Sequence, residues 1–188
     1  MFRKFLCVSV FFLSAAAAFG QAIPTALRGA TLEAGGQFNI VRPDYGEQWM
    51  YGFGGVVDAN ARKWWGLEAE ADFAFLHGPS STKEETYNFG PRFLLVHERW
   101  TPYAKVLIGF GHITLPNPGH PTSTNLDYSF GGGVDWRWKP KITIRVADVE
   151  YQQWPNFSTS PDVNNPYGHG GALTPLKISV GVKYRFFQ

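Results

Sequence analysis

Residues 65–75 read WGLEAEADFAF. Trp65, Leu67, Ala69, Ala71, Phe73 and Phe75 occupy one parity; Gly66, Glu68, Glu70, Asp72 and Ala74 occupy the other. A helix would scatter the three acids around its circumference, whereas a strand lines them up on one side. Period two therefore assigns this stretch to a β-strand with one apolar and one acidic face.

The same alternation recurs on both sides. Toward the N-terminus, TLEAGGQFNIV (31–41) sets Leu32, Ala34, Phe38 and Ile40 against Glu33, Gln37 and Asn39, and 49–59 sets Trp49, Tyr51, Phe53 and Val57 against Gly52, Gly54 and Asp58. Toward the C-terminus, the pattern returns over 87–96, where Arg92 is polar-facing and Pro91 calls for a bulge, and over 103–111, with Lys105. It returns again over 126–138, with Asp135 and Arg137, and over 176–186, with Lys177, Lys183 and Arg185. The stretch 142–154 breaks phase, because Arg145 has one parity while Asp148 and Glu150 have the other; a β-bulge near Ala147 restores them to one face. The reading is all-β, with eight antiparallel strands.

The connections alternate in character. Longer, polar, Pro- and Gly-rich segments (RPDYGEQ, HGPSSTKEE, HITLPNPGHPTST and PNFSTSPDVNNPYGHGGALTP) are separated by short links around NAR, HER and KPK. A barrel that crosses an outer membrane has long loops outside and short turns on the periplasmic side.

The N-terminus carries an export signal. Arg3 and Lys4 precede the apolar run FLCVSVFFLSAAAA (5–18), and Gly20 and Ala22 stand at minus three and minus one of a cut before Ile23. The run falls short of the roughly 20 apolar residues that span a bilayer. The expected organisation is a cleaved signal peptide over 1–22 and a single domain over 23–188, with no peptidoglycan-binding domain after it. Cys7, the only cysteine, leaves with the leader, which excludes disulfides, a thiol nucleophile and thiolate metal sites. Arg3 and Lys4 also account for two of the 17 basic residues, so the mature chain has as many Lys and Arg as its 15 Asp and Glu. A neutral chain gives no footprint for nucleic acid.

Tryptophan placement, the make-up of the polar faces and the C-terminal segment place the apolar faces outward, in lipid, and the composition agrees. Aromatics are 16% of the chain, with seven Trp and sixteen Phe, yet the mean hydropathy is slightly negative at −0.18. Trp49, Trp65, Trp100, Trp136, Trp138 and Trp154 fall near strand ends, as expected of an aromatic girdle at the lipid–water interface. The polar faces combine glycines with balanced charges, which suits the narrow interior of an eight-stranded barrel. That interior is expected to hold Glu33, Asp58, Glu68, Glu70, Asp72 and Asp135 against Arg92, Lys105, Arg137, Arg145, Lys177, Lys183 and Arg185.

Finally, Ser179 to Phe186 read SVGVKYRF. This resembles the C-terminal signal recognised by the barrel-assembly machinery, with Ser179, Gly181, Tyr184 and Phe186 at the specified places; Phe187 and Gln188 follow, where the family usually ends on the final aromatic. With FGPRFLL at 89–95, the chain resembles the small porin-like or OmpA-type outer-membrane β-barrel domain family over essentially all of its mature length. The resemblance implies an eight-stranded antiparallel up-and-down transmembrane β-barrel in the bacterial outer membrane. The partners it implies are lipid and the assembly machinery, with no named ligand.

Chemistry is harder to find. His77 lies three residues before Ser80, and His112, His120 and His169 fall in longer loops, but none matches a compact catalytic or metal-ligand spacing. The expectation is a monomeric, non-enzymatic barrel with a structural or surface-interaction role, no cofactor and no metal. It displays four extracellular loops over a closed, charge-paired interior. The alternatives weighed are an outer-membrane lipid-modifying hydrolase or acyltransferase, a pore, and a soluble lipocalin-like binder.

Overall fold

In the computed structural model, which describes residues 30–44, 49–75, 83–114, 122–158 and 170–187, Trp65–Phe75 forms a strand over its full length. The strands in chain order are β1 (Thr31–Arg42), β2 (Met50–Asn60), β3 (Trp65–Phe75), β4 (Lys83–Leu94), β5 (Trp100–Thr114), β6 (Thr122–Lys139), β7 (Ile142–Ser158), β8 (Gly170–Leu173) and β9 (Leu176–Phe187). Each of β1 to β7 pairs antiparallel with its sequence neighbours. β9 joins β1 on one side and β7 on the other, so the β6–β7 pairing closes the ring with no free edge. The short β8 also pairs with β7, above β9, and Thr174 and Pro175 separate the two. β8 and β9 are thus one wall strand interrupted at a proline, and the wall has eight strands, up and down.

Burial is inverted relative to a water-soluble protein. Phe53, Phe89, Phe110, Val182 and Phe186 are more than half exposed, while Asp58, Glu68, Arg92, Arg145, Glu150 and Lys183 are fully buried. Backbone groups are satisfied between strands and the apolar faces point out, which is the solution a bilayer demands of β-structure.

Several boundaries differ from the sequence reading. β4 starts at Lys83 rather than Tyr87 and ends at Leu94, and β5, β6 and β7 all run further than their alternating cores. Lys83 and His112 therefore lie in strands and not in loops. Pro91 does not make a bulge. The β4–β5 register is the same on both sides of it, from Phe89↔Ile108 to Arg92↔Lys105, and the β3–β4 pairing runs through at Leu67↔Pro91. Bulging at Val146 and Ala147 is present: the register of β7 shifts against both β6 and β9 between Arg145 and Asp148. The extra residue brings Arg145 and Asp148 to the same side, and both are buried. At the tight link between β4 and β5, Glu98 adopts a left-handed φ of 53°.

Candidate functional site: an ion-paired lumen

Alternation aims one side chain in two from each wall strand into a space about as wide as those side chains. At the short-turn end, Arg185 of β9 donates from Nε (2.7 Å) and Nη2 (2.5 Å) to Glu33 of β1, which also accepts from Thr143 Oγ1 at 3.2 Å. One level deeper, Arg92 of β4 bridges Asp58, Asp135 and Glu68. Lys183 Nζ lies 2.5 Å from both Asp58 and Asp135. The Arg92 guanidinium covers the ring of Tyr103 at 3.7 Å, and the Tyr103 hydroxyl donates to Asp148 at 2.5 Å.

At mid-height Arg145 of β7 reaches Glu68 (2.9 Å), Glu70 (2.8 Å) and Asp148 (3.1 Å), and donates to Gln37 (3.1 Å). Lys105 Nζ stands 2.7 Å from Glu68, Glu70 and Asp148 and 2.6 Å from Glu150. Lys177 joins Glu70, Asp72 and Glu150 at 2.8, 2.6 and 2.9 Å. Above this, Gln37 and Asn39 donate to Asp72, and Asn88 donates to Asp127 at 2.7 Å. Two apolar clusters close the long-loop end, Ile113–Trp154–Leu173 and Val41–Met50–Ala74.

A charge removed from water is tolerable only when paired and hydrogen-bonded. Lys105 sits where a cation would be required by the carboxylates of Glu68, Glu70 and Asp148, whose oxygens lie within 4.8 Å of one another. The protein's own ammonium fills the place that a metal ion would take.

The structure brings together twelve of the thirteen charged residues named from sequence and sets one aside. Arg137 is only half-buried and makes no ion pair among the described residues. It lies nearest the β6–β7 turn, beyond the reach of the acids deeper in the lumen. Sequence reading missed the buried acids Glu84, Asp127, Asp148 and Glu150 as site members. Parity exposes three of them: Asp127 alternates with Leu126 and Tyr128, and the bulge that brings Asp148 inward brings Glu150 with it. Glu84 lies before the point where the alternation becomes recognisable.

Among the tryptophans, Trp100 and Trp136 stack with centroids 5.9 Å apart, and Lys139 Nζ lies 4.6 Å from the ring of Trp138. Trp65 packs beside Trp64, a neighbour that the sequence reading passed over and that is 56% exposed. At the opposite end Arg42 covers Trp49 at 5.9 Å. Trp154 is a correction: it is wholly buried, inside the lumen and not in the girdle. Beyond the bulge it shares parity with Asp148, Glu150 and Gln152, all lumenal, and Gly111 leaves the room its indole occupies.

Of the C-terminal segment, Ser179 is lumenal, Gly181 is half-buried, and Tyr184 and Phe186 point outward with their rings 5.3 Å apart. His112 Nδ1 meets Thr124 Oγ1 at 2.9 Å on an exposed face, and no described carboxylate orients the ring. His77, Ser80, His120, His169 and the signal segment 1–22 lie outside the described residues.

Solved structures similar to this chain include barrels of the bacterial cell surface and outer membrane. Neisserial surface protein A superposes with a TM-score of 0.63 at 11% identity, covering 84% of this chain and 97% of that one. Ail, the attachment invasion locus protein of Yersinia pestis, gives 0.52 at 16% identity over 84% and 97%. OprG from Pseudomonas aeruginosa gives 0.52 at 11% identity over 85% and 97%. No curated protein sequence matches the chain. The model of the outer membrane protein beta-barrel domain matches residues 5–186. With its inverted burial and closed eight-stranded wall, this chain belongs to the outer membrane protein β-barrel domain family.

Proposed function

We propose that this chain is a monomeric, non-enzymatic barrel of the bacterial outer membrane, exported by a cleaved signal over 1–22. Its role is to hold surface-exposed loops on a rigid, solute-tight scaffold. The observation that carries the reading is the filled lumen: Arg145 and Lys105 join carboxylates of β3 and β7 across its middle, and side chains so engaged occupy the section that a solute would cross.

With the mature N-terminus in the periplasm, the links at 61–64, 95–99 and 140–141 are periplasmic turns. The longer connections at 43–49, 76–82, 115–121 and 159–169 face outward. Those segments, and not the wall, are the part of the chain free to meet a partner. Ser179, Gly181, Tyr184 and Phe186 serve as the assembly signal during insertion, and the surrounding lipid is the barrel's permanent partner.

Epitope tags test the orientation. A tag at Asn164 is expected to bind antibody on intact cells, and one at Pro140 only after the outer membrane is opened. Fractionation of the same cells is expected to place the protein in the outer membrane as a band whose mobility changes on boiling. The reversed labelling, or a protein that does not pellet with membranes, contradicts the proposal.

A further inference from the structure

The buried cations Arg92, Lys105, Arg145, Lys177 and Lys183 each hold carboxylates along the lumen, and at its short-turn mouth a cavity of about 770 Å³ opens. Glu33, Arg62, Lys63, Trp64, Arg137 and Arg185 are among its lining residues. Arg185 is 7% exposed and spends Nε and Nη2 on Glu33; its Nη1 is buried with no partner among the described residues. Arg137 enters from β6, one lumenal step beyond Asp135, and its Nε is likewise buried with no partner among the described residues. Arg185 repels it, and Glu33, already shared, offers the compensating attraction. The acids in the lining are taken: Glu33 by Arg185, and Asp135 by Lys183 and Arg92. The exposed Arg62 and Lys63 add positive charge at the rim.

Two neighbouring guanidinium groups with unmade N–H bonds thus face one cavity. Water satisfies such donors but leaves their mutual repulsion in place, whereas an anion answers both. Guanidinium forks match the oxygens of phosphate, and a tetrahedral phosphate serves two forks that approach from different walls. Trp64, Trp100, Trp136 and Trp138 lie at this same end of the barrel, the level at which indoles meet lipid headgroups. We propose that the short-turn mouth is a phosphate-group site, with Arg137 and Arg185 as its donors and Arg62 and Lys63 as its rim. The phosphate is either free in solution or borne by a lipid headgroup of the adjacent leaflet.

The test uses the barrel refolded in octyl glucoside, a detergent without charge. One calorimetric arm titrates inorganic phosphate, and the other titrates short-chain dihexanoyl phosphatidic acid below its micellar concentration. Saturable, single-site binding is expected, weakened about tenfold or more by Arg137→Gln, the loss expected for a charge-assisted hydrogen bond. Lys139→Gln, whose ammonium lies over Trp138, is expected to bind as the wild type does. Binding in the first arm identifies a site open to soluble phosphate; binding in the second alone identifies a headgroup site. If Arg137→Gln does not refold, judged by heat-modifiable mobility, the double variant Arg62→Gln/Lys63→Gln is read in its place and is expected to weaken binding. Absence of saturable binding in both arms overturns the proposal, as does wild-type affinity in whichever cavity variant folds.

Discussion

Arg145 and Glu70 stand on opposite walls of the barrel, four strands apart whichever way the wall is followed, and their side chains meet at 2.8 Å. A contact across the full diameter is possible only because the wall has eight strands and the two side chains are long. Strand number and shear set the cross-section, and this pair spans it. The lumen is a core made of charges.

Such a core is stable only while each charge keeps its compensation. Arg92 touches Asp58, Glu68 and Asp135 and lies on Tyr103. Arg92→Ala is expected to lower unfolding free energy in detergent by about 3–5 kcal/mol, because three carboxylates lose a shared partner. Lys83→Ala, at an exposed strand end, is expected to change it by less than about 0.5 kcal/mol. Urea titrations of both variants beside the wild type measure the difference.

The outer face obeys the opposite rule. Val180 lies near the middle of β9 and is 46% exposed. Val180→Arg is expected to cost about 2–4 kcal/mol of insertion free energy, the range for a cation near the bilayer midplane. Phe73, closer to the long-loop end of β3 and edge-on to Tyr87, is expected to tolerate Arg at lower cost, because the penalty falls toward the interface. Folding yield into lipid vesicles reads both, and equal, wild-type yields would reverse the assigned faces.

Space in the lumen is a third constraint. A Cβ on the lumenal Gly111 overlaps the six-membered ring of Trp154, whereas a Cβ on Gly55, on the exposed outer face, meets nothing closer than the Gly35 carbonyl oxygen at 3.9 Å. Gly111→Ala is therefore expected to destabilise by about 1–3 kcal/mol through overpacking, and Gly55→Ala to be close to neutral. Chemical unfolding followed by tryptophan fluorescence distinguishes them.

The sequence carried the wall of this barrel openly. Wherever a strand keeps strict parity, as in Trp65–Phe75, its extent and both faces were readable, because period two has no helical counterpart. The β7 bulge was also legible, since Arg145 and Asp148 conflict unless one residue is looped out. Parity did not reveal the outer thirds of β5, β6 and β7, where small and polar residues replace the apolar row and only pairing with a neighbour defines the strand. Nor does it give height: Arg137 has the parity of Asp135 but lies at the mouth, where the nearby acid Glu33 is already held by Arg185. Residue type assigns Trp154 to the interface, although its parity with Glu150 already points inward. The choice between lipid and water as the outer solvent rested on side-chain chemistry, because alternation alone is the same for both.

Conductance tests the central claim, that the lumen is filled by its own charges, most directly. In planar-bilayer recordings the wild-type barrel, once inserted, is expected to pass no large, steady current, because Arg145, Lys105 and Lys177 occupy the section that ions would cross. A stable, wide-open channel in the wild type would contradict it.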